Sequence, residues 1–203
     1  MYALVENGQI TKIFSYPKGF ELNNNQYSAK IFTLWSQAEK EAIGIYEIII
    51  DSTNYKDPAY YNNTNEQYTF ANGQVTKSWG TATAKRLEDE NAVDEDGNNI
   101  LEDGVQVINY GLKTEKKRIV KQQASGLLAP TDWYVVKATE VADYDVPANI
   151  LSFRADVRTK SNEMETMINN CTTVDELKAL YEYTEQQDGT FTRPLPEFPT
   201  EVI

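Results

Sequence analysis

Short runs of apolar and β-branched positions dominate the first part of the chain, and the same dipeptide interrupts two of them. "YALVE-NG-QITKIF" (2–14) and "QYTFA-NG-QVTKSW" (67–79) each set Asn-Gly between two such runs. Asn-Gly is the strongest two-residue hairpin signal, because a type I′ turn needs two residues that tolerate positive φ. Both segments are expected to fold back on themselves, and the threonine and β-branched residue after each turn suit a pleated surface. The near-identical phrases "NGQITK" (7–12) and "NGQVTK" (72–77) are hairpin chemistry used twice. Their flanks diverge and no third copy follows, which argues against a solenoid, an architecture that needs at least about three repeats. Between the hairpins, "KIFTLWS" (30–36) and "GIYEIIID" (44–51) read as further strands. "SQAEKEAIG" (36–44) reads as a short helix, with Ser36 as N-cap, Glu39 completing a capping box and Gly44 as terminator. Residues 1–82 are expected to build a sheet of about five or six strands with one helix laid across it.

The pattern then changes twice. "KRLEDENAVDEDGNNILEDGVQVINYG" is acidic and rich in turn residues, with Asp-Gly pairs at 96–97 and 103–104. It reads as an exposed arm carrying a small hairpin, or as a linker between two modules. Helical spacing follows. Thr114 caps a predicted helix through "EKKRIVKQQASGLL", with Ile119, Ala124, Leu127 and Leu128 tending to one side and Pro130 ending it. "TDWYVVKA" reads as short and extended, with Trp133 expected to seal helix against helix. Pro147 stands at a first helical position, and Ile150, Phe153, Val157, Met164 and Ile168 then form an amphipathic stripe. Thr173 and Glu176 open a further helix with a capping box. The closing "FTRPLPEFPTEVI" is too proline-rich for a helix or a central strand. The expected fold class is α+β: an N-terminal antiparallel β-rich module with one short helix (1–82), an acidic arm or linker (83–111), a small helical module (112–190) and an extended Pro-rich tail (191–203).

Charge narrows the partners. Lys and Arg total 19 against 31 acids, a formal charge of −12. A surface this negative repels phosphate backbones and anionic headgroups, so neither nucleic acid nor membrane is an expected partner. The basic exception, "LKTEKKRIVK" (112–121), reads as a solvated helix face. "MYALVENGQI" lacks the basic start and apolar run of a secretory leader, and no stretch approaches the roughly 18 apolar residues of a membrane span. With 13 Tyr, 7 Phe and 3 Trp, aromatic side chains supply much of the core material.

Candidate chemistry is sparse. There is no histidine, so Ser-His-Asp and Cys-His arrangements are excluded, and glycine-rich phosphate loops of either common pattern are absent. Cys171 is the one cysteine. It lies just before a predicted helix start, where a thiol pKa can fall, but without a base beside it the thiol reads as packed. "DEDGNNILE" (94–102) places Asp94, Asp96, Asn98 and Glu102 at calcium-loop spacing, yet Asn99 stands where the invariant glycine belongs and Val105 where a bidentate glutamate does. A polar turn is the better reading. Acids are abundant, but no pair stands out in an aromatic-lined context as glycosidase carboxylates would. Asn-x-Thr sequons at Asn62 and Asn170 carry weight only in a secreted eukaryotic chain. No cofactor is expected.

One segment carries a resemblance. "LLAPTDWYVVKA…VPANILSFRADVR" (127–158) resembles a module of bacteriophage tail proteins, the tail-fibre assembly and tail assembly chaperone-like families. Their signature is a Lys/Arg-rich helix ending in a Leu-rich turn, then Thr-Asp-Trp, then a helix bearing an aromatic-Arg-x-x-apolar-Arg element. The matching positions are Leu127, Leu128, Thr131, Asp132, Trp133, Phe153, Arg154, Val157 and Arg158. The family usually has tyrosine at the position of Phe153, and often a Pro-Asp-containing connection in place of "VVKATEVADYD". The "RPLPEFP" ending is similar to proline-rich endings of that group, and "MYALVENGQITKIF" with "IGIYEI" looks like the strand module of marine phage tail-associated proteins. The resemblance implies a non-enzymatic phage protein, made in the bacterial host cytoplasm, whose partners are other tail or fibre proteins or further copies of itself. It leaves two roles open, of which the two-module layout with its exposed arm favours the first: a virion tail component, such as a fibre or adaptor, with an assembly chaperone that does not stay as the alternative. A carbohydrate-binding host-recognition module is a third reading, since tyrosines stack on sugars. Phe191, Pro194, Pro196, Phe198 and Pro199 mark the tail as a segment expected to dock on a partner, an extended proline-rich strand having little ordering entropy to lose.

Overall fold

Asn7 and Gly8 both take positive φ, 52° and 78°, and Asn72 and Gly73 repeat this at 53° and 73°. The two turns create the expected hairpins in a computed structural model that describes residues 1–200. The chain divides into two compact units, Met1–Ala84 and Lys85–Ile203. Strands, mostly antiparallel, and helices coexist, so the class is α+β.

The first unit contains strands β1 (Tyr2–Glu6), β2 (Gln9–Phe14), β3 (Phe20–Leu22) and β4 (Asn25–Tyr27), then short helices α1 (Ile31–Leu34) and α2 (Gln37–Glu41). Strands β5 (Ile45–Ile50), β6 (Tyr61–Asn62), β7 (Gln67–Ala71), β8 (Gln74–Ser78) and β9 (Thr83–Ala84) complete it. Five strands form one sheet in the order β2-β1-β5-β8-β7. Three of its pairs are antiparallel, whereas β5 and β8 run parallel with Ile48 opposite Val75. That parallel pair departs from the antiparallel module expected, and it arises because β5 lies between the two hairpins, antiparallel to β1 and parallel to β8. Successive β1 side chains point to opposite faces, yet Ala3, Leu4 and Val5 are all buried, so both faces are covered. Leu4 joins Phe14, Phe20, Ile31, Phe32 and Ile45 under the helices, and Ala3 and Val5 join Ile48 and Val75 on the other side. The outer strands β2 and β7 approach each other around this second cluster; the sheet rolls up.

"KIFTLWS" is not a strand. Ile31 and Phe32 are adjacent and both buried, which a strand with one covered face does not permit, and the amides of residues 31–35 bond to carbonyls three or four residues back. The unit therefore carries two short helices rather than one. The α2 capping box is present, with Glu39 N–H donating to Ser36 Oγ and Ser36 N–H donating to Glu39. Gly44 is required: its φ is +82° and an added Cβ would lie 2.5 Å from the Val5 carbonyl oxygen.

The second unit begins with four short strands, β10 (Glu90–Asn91), β11 (Leu101–Glu102), β12 (Val105–Gln106) and β13 (Ile108–Asn109). The acidic arm is thus a small folded β layer, with β10 paired to β13, β11 to β12, and Ala92 buried. Residues 83–84 instead pair with β6 in the first unit. Helix α3 (Leu112–Leu128) follows, then a 3-10 turn (Ala129–Thr131), α4 (Asp132–Glu140), α5 (Ala148–Asn170), α6 (Val174–Ala179), β14 (Thr184–Glu185) and β15 (Phe191–Thr192). Helix α3 starts earlier than Thr114. Its N-cap is Gly111, and the Asp89 carboxylate accepts from both the Gly111 N–H and the Thr114 hydroxyl. A side chain at Gly111 would collide with the Glu88 backbone. Helices α3 and α5 pack together through Ala124, Phe153 and Val157. The α5 stripe is buried as expected, from Ile150 to Ile168. On α3 the buried positions are Lys113, Val120 and Ala124, and Ile119 faces solvent. Pro147 caps α5 rather than occupying its first turn, and the Thr173–Glu176 capping box opens α6.

Two further expectations fail here. "TDWYVVKA" is helical, because Pro130 sits in the first turn of the 3-10 segment, where its missing N–H costs nothing, and passes the chain onward. The tail does not stand free: β15 pairs with β14, the Leu195 N–H donates to the Leu180 carbonyl, and Leu195 is buried. Residues 201–203 of that tail lie outside the described residues.

Candidate functional site

The residues carrying the family resemblance converge on the corner where α3 meets α4. Helix α3 delivers Leu127 and Leu128 at its end, the 3-10 turn delivers Thr131, and α5 brings Phe153, Arg154 and Val157 against them. Arg154 holds the corner together. Its Nη1 donates to the Leu128 carbonyl at 3.0 Å and to Thr131 Oγ1 at 2.5 Å, and its Nη2 lies 2.8 Å from Asp132 Oδ1. A planar guanidinium suits this task, since it presents several donors in a fixed fork. The guanidinium is 9% exposed, while the Asp132 carboxylate is 60% exposed, so one partner is desolvated and the other keeps its water. Thr131 in turn donates to the Leu128 carbonyl. Beside this corner lies a cleft of about 430 Å³, lined by Lys121, Asp132, Arg154, Arg158, Ser161 and Asn162 among others. Arg158, on the next turn of α5, is exposed and donates to the Arg154 carbonyl. Lys121 reaches across to Glu165 at 3.3 Å, a further tie between α3 and α5.

Trp133 departs from the expectation. It is 51% exposed, its ring lies against Tyr134, and Lys137 Nζ sits over it. The Thr-Asp half of the motif is therefore a fastening, and the Trp half opens a helix that faces outward. No residue of α4 is buried, and the 3-10 turn leading into it is the element it packs against most. Sequence reading missed this. Four consecutive apolar residues, Trp133 to Val136, suggest a strand, and the signal available was Pro130 as a helix opener.

The other candidates do not gather. Asp94 accepts from the backbone N–H groups of Asp96 and Asn98 and from the Asn98 side chain, and these bonds hold its carboxyl below the usual carboxylate range. Its oxygens are engaged by its own turn. Among the described residues no three His, Cys, Asp or Glu side chains are grouped to hold a metal ion. Cys171 is buried, and burial pushes its thiol up from the ordinary value, with the nearby Glu176 adding to the rise. This is the opposite of helix-start activation. Of the tail residues, Phe191 and Pro194 are exposed and Pro196 and Pro199 half-buried. Phe198 packs on the α3–α5 core. Among the described residues no helix is long and apolar enough to cross a membrane.

Comparison with known proteins adds no neighbour: no family model, no curated protein and no solved structure matches this chain.

Proposed function

We propose that this chain is a bacteriophage tail-assembly protein that works by attachment rather than bond-making, gripping a fibre protein during its maturation in the host cytoplasm. The observation that carries the reading is the α3–α4 corner. Residues from three elements that resemble the tail-fibre assembly signature meet there around Arg154, and α4 leaves that corner without a buried residue. The exposed arm that favoured a permanent virion component, and the tail expected to dock on a partner, both lose their force. The acidic arm is a folded layer of the second unit, and the proline-rich tail is turned onto its own helices. Neither is a free extension for anchoring to a particle.

Co-expression with the neighbouring fibre gene tests the role. A rise in soluble fibre is expected, and an unchanged yield overturns it. The two separate compact units favour a second reading, a virion adaptor with one unit for each neighbour. Mass spectrometry of purified particles separates the two: a chaperone is absent and an adaptor is retained.

A further inference from the structure

We propose that α4 is an insertion helix, which seats its Trp133 face in an apolar groove rimmed by Lys and Arg on the partner. Helices that are apolar around most of their circumference are ordinarily buried, and α4 carries Trp133, Tyr134, Val135, Val136 and Ala138 among its nine residues. Trp133 and Val136 lie one turn apart and are each 51% exposed, and Val141 at the C-cap is 47% exposed. The Trp133–Val136 pair has the i, i+3 anchor spacing of a helix held in a groove, with an aromatic residue of the type enriched among binding hot spots. Arg154 fixes the emerging helix through Asp132, so less order has to be created on binding.

Charge selects the occupant. The exposed acids Glu140, Asp143 and Asp145 border the helix end, none has an ion-pair partner among the described residues, and Asp132 stands at its start. The one base between 132 and 146 is Lys137, which lies over the Trp133 and Tyr144 rings. A second copy of this chain would bring the same acids face to face across a two-fold axis, with a formal charge of −12 on each side. A groove with basic edges is complementary, and like-charged alternatives are penalised. This inference deepens the assembly role proposed above, and rests on it for identifying the partner as a fibre protein.

The test uses the full chain and two synthetic amphipathic helical peptides, one of Leu and Lys and one of Leu and Glu. Calorimetry should show saturable binding of the Leu/Lys peptide, at least about tenfold weaker for Val136→Asp and Trp133→Ala, the loss expected of an anchor residue. Both positions are exposed, and unchanged far-UV circular dichroism checks that the variants fold. Equal binding of the Leu/Glu peptide overturns the charge selection. Undiminished binding by Val136→Asp overturns the surface. A concentration-dependent dimer lost in Val136→Asp assigns the helix to self-association, and a Trp133-dependent blue shift on phosphatidylglycerol vesicles assigns it to a membrane; either result overturns the proposal. If wild type and Val136→Asp raise fibre solubility equally, this docking mode falls while the assembly role stands. If neither raises it and the peptides still discriminate, the surface stands and the role falls.

Discussion

Arg154 is the residue on which the helical corner depends. Removing it leaves the Leu128 carbonyl and the Thr131 hydroxyl with only each other, and each lost hydrogen bond to a charged group costs about 1.5–3 kcal/mol. Arg154→Met should lower the urea midpoint of the helical signal by an amount equivalent to about 2–3 kcal/mol, since Asp132 keeps its own hydration. Arg154→Lys should recover little, because a compact ammonium does not reproduce the fixed fork of donors that reaches these three acceptors; full recovery would show that charge alone matters. Cys171 gives a second check at this scale. Its thiol is buried and raised, so reaction with a disulfide probe at neutral pH should be slow in the folded protein and reach the rate of an ordinary thiol only in denaturant. Sequence pattern alone placed Cys171 beside a helix start and left its burial out of view. For Arg154 the motif identified the residue and, separately, Asp132, but not the Leu128 carbonyl, which becomes a partner only once Pro130 turns the chain.

Three helix starts, those of α2, α3 and α6, rest on carboxylates. Glu39 is held low by the Ser36 side chain and then its backbone, Glu176 by the Thr172 backbone and side chain, and Asp89 by the Gly111 backbone N–H. A carboxyl whose folded pKa is depressed contributes stability above its unfolded value, and that contribution is lost as pH falls through the folded one. Helical signal and thermal midpoint should therefore hold from neutral pH to about pH 5 and decline below about pH 4; a decline on the alkaline side instead would contradict these caps. Elements fixed by such local rules were legible beforehand: both Asn-Gly hairpins, both capping boxes and the α5 stripe. Those decided by tertiary context were not. Ile31 and Phe32 look like strand residues until both are needed under one sheet face, and Val135 and Val136 look like strand residues until a proline opens a helix in front of them.

At the scale of the molecule, composition forecast a strand-rich front and a helical back, and the division at Ala84/Lys85 lies close to the expected change in pattern. The arm was harder to place, because an acidic, turn-rich stretch has the same composition whether it folds or not; Ala92 and the paired strands beside it decide the matter. Each unit carries its own buried cluster, so residues 1–84 and 85–203 expressed separately should each give a cooperative thermal transition. A non-cooperative profile from either half would show that it borrows stability from the other.

The two hairpin turns have a last consequence, in chemical ageing. Asn7-Gly8 and Asn72-Gly73 are exposed, and a glycine amide, unshielded by any side chain, is the nitrogen most open to attack on the preceding asparagine. The resulting succinimide hydrolyses to aspartate or isoaspartate, which adds a negative charge and, in the isomer, an extra backbone carbon inside the turn. Peptide mapping of protein stored at mildly alkaline pH should find these two sites converted first, so the dipeptide that sets strand register is also where register will be lost.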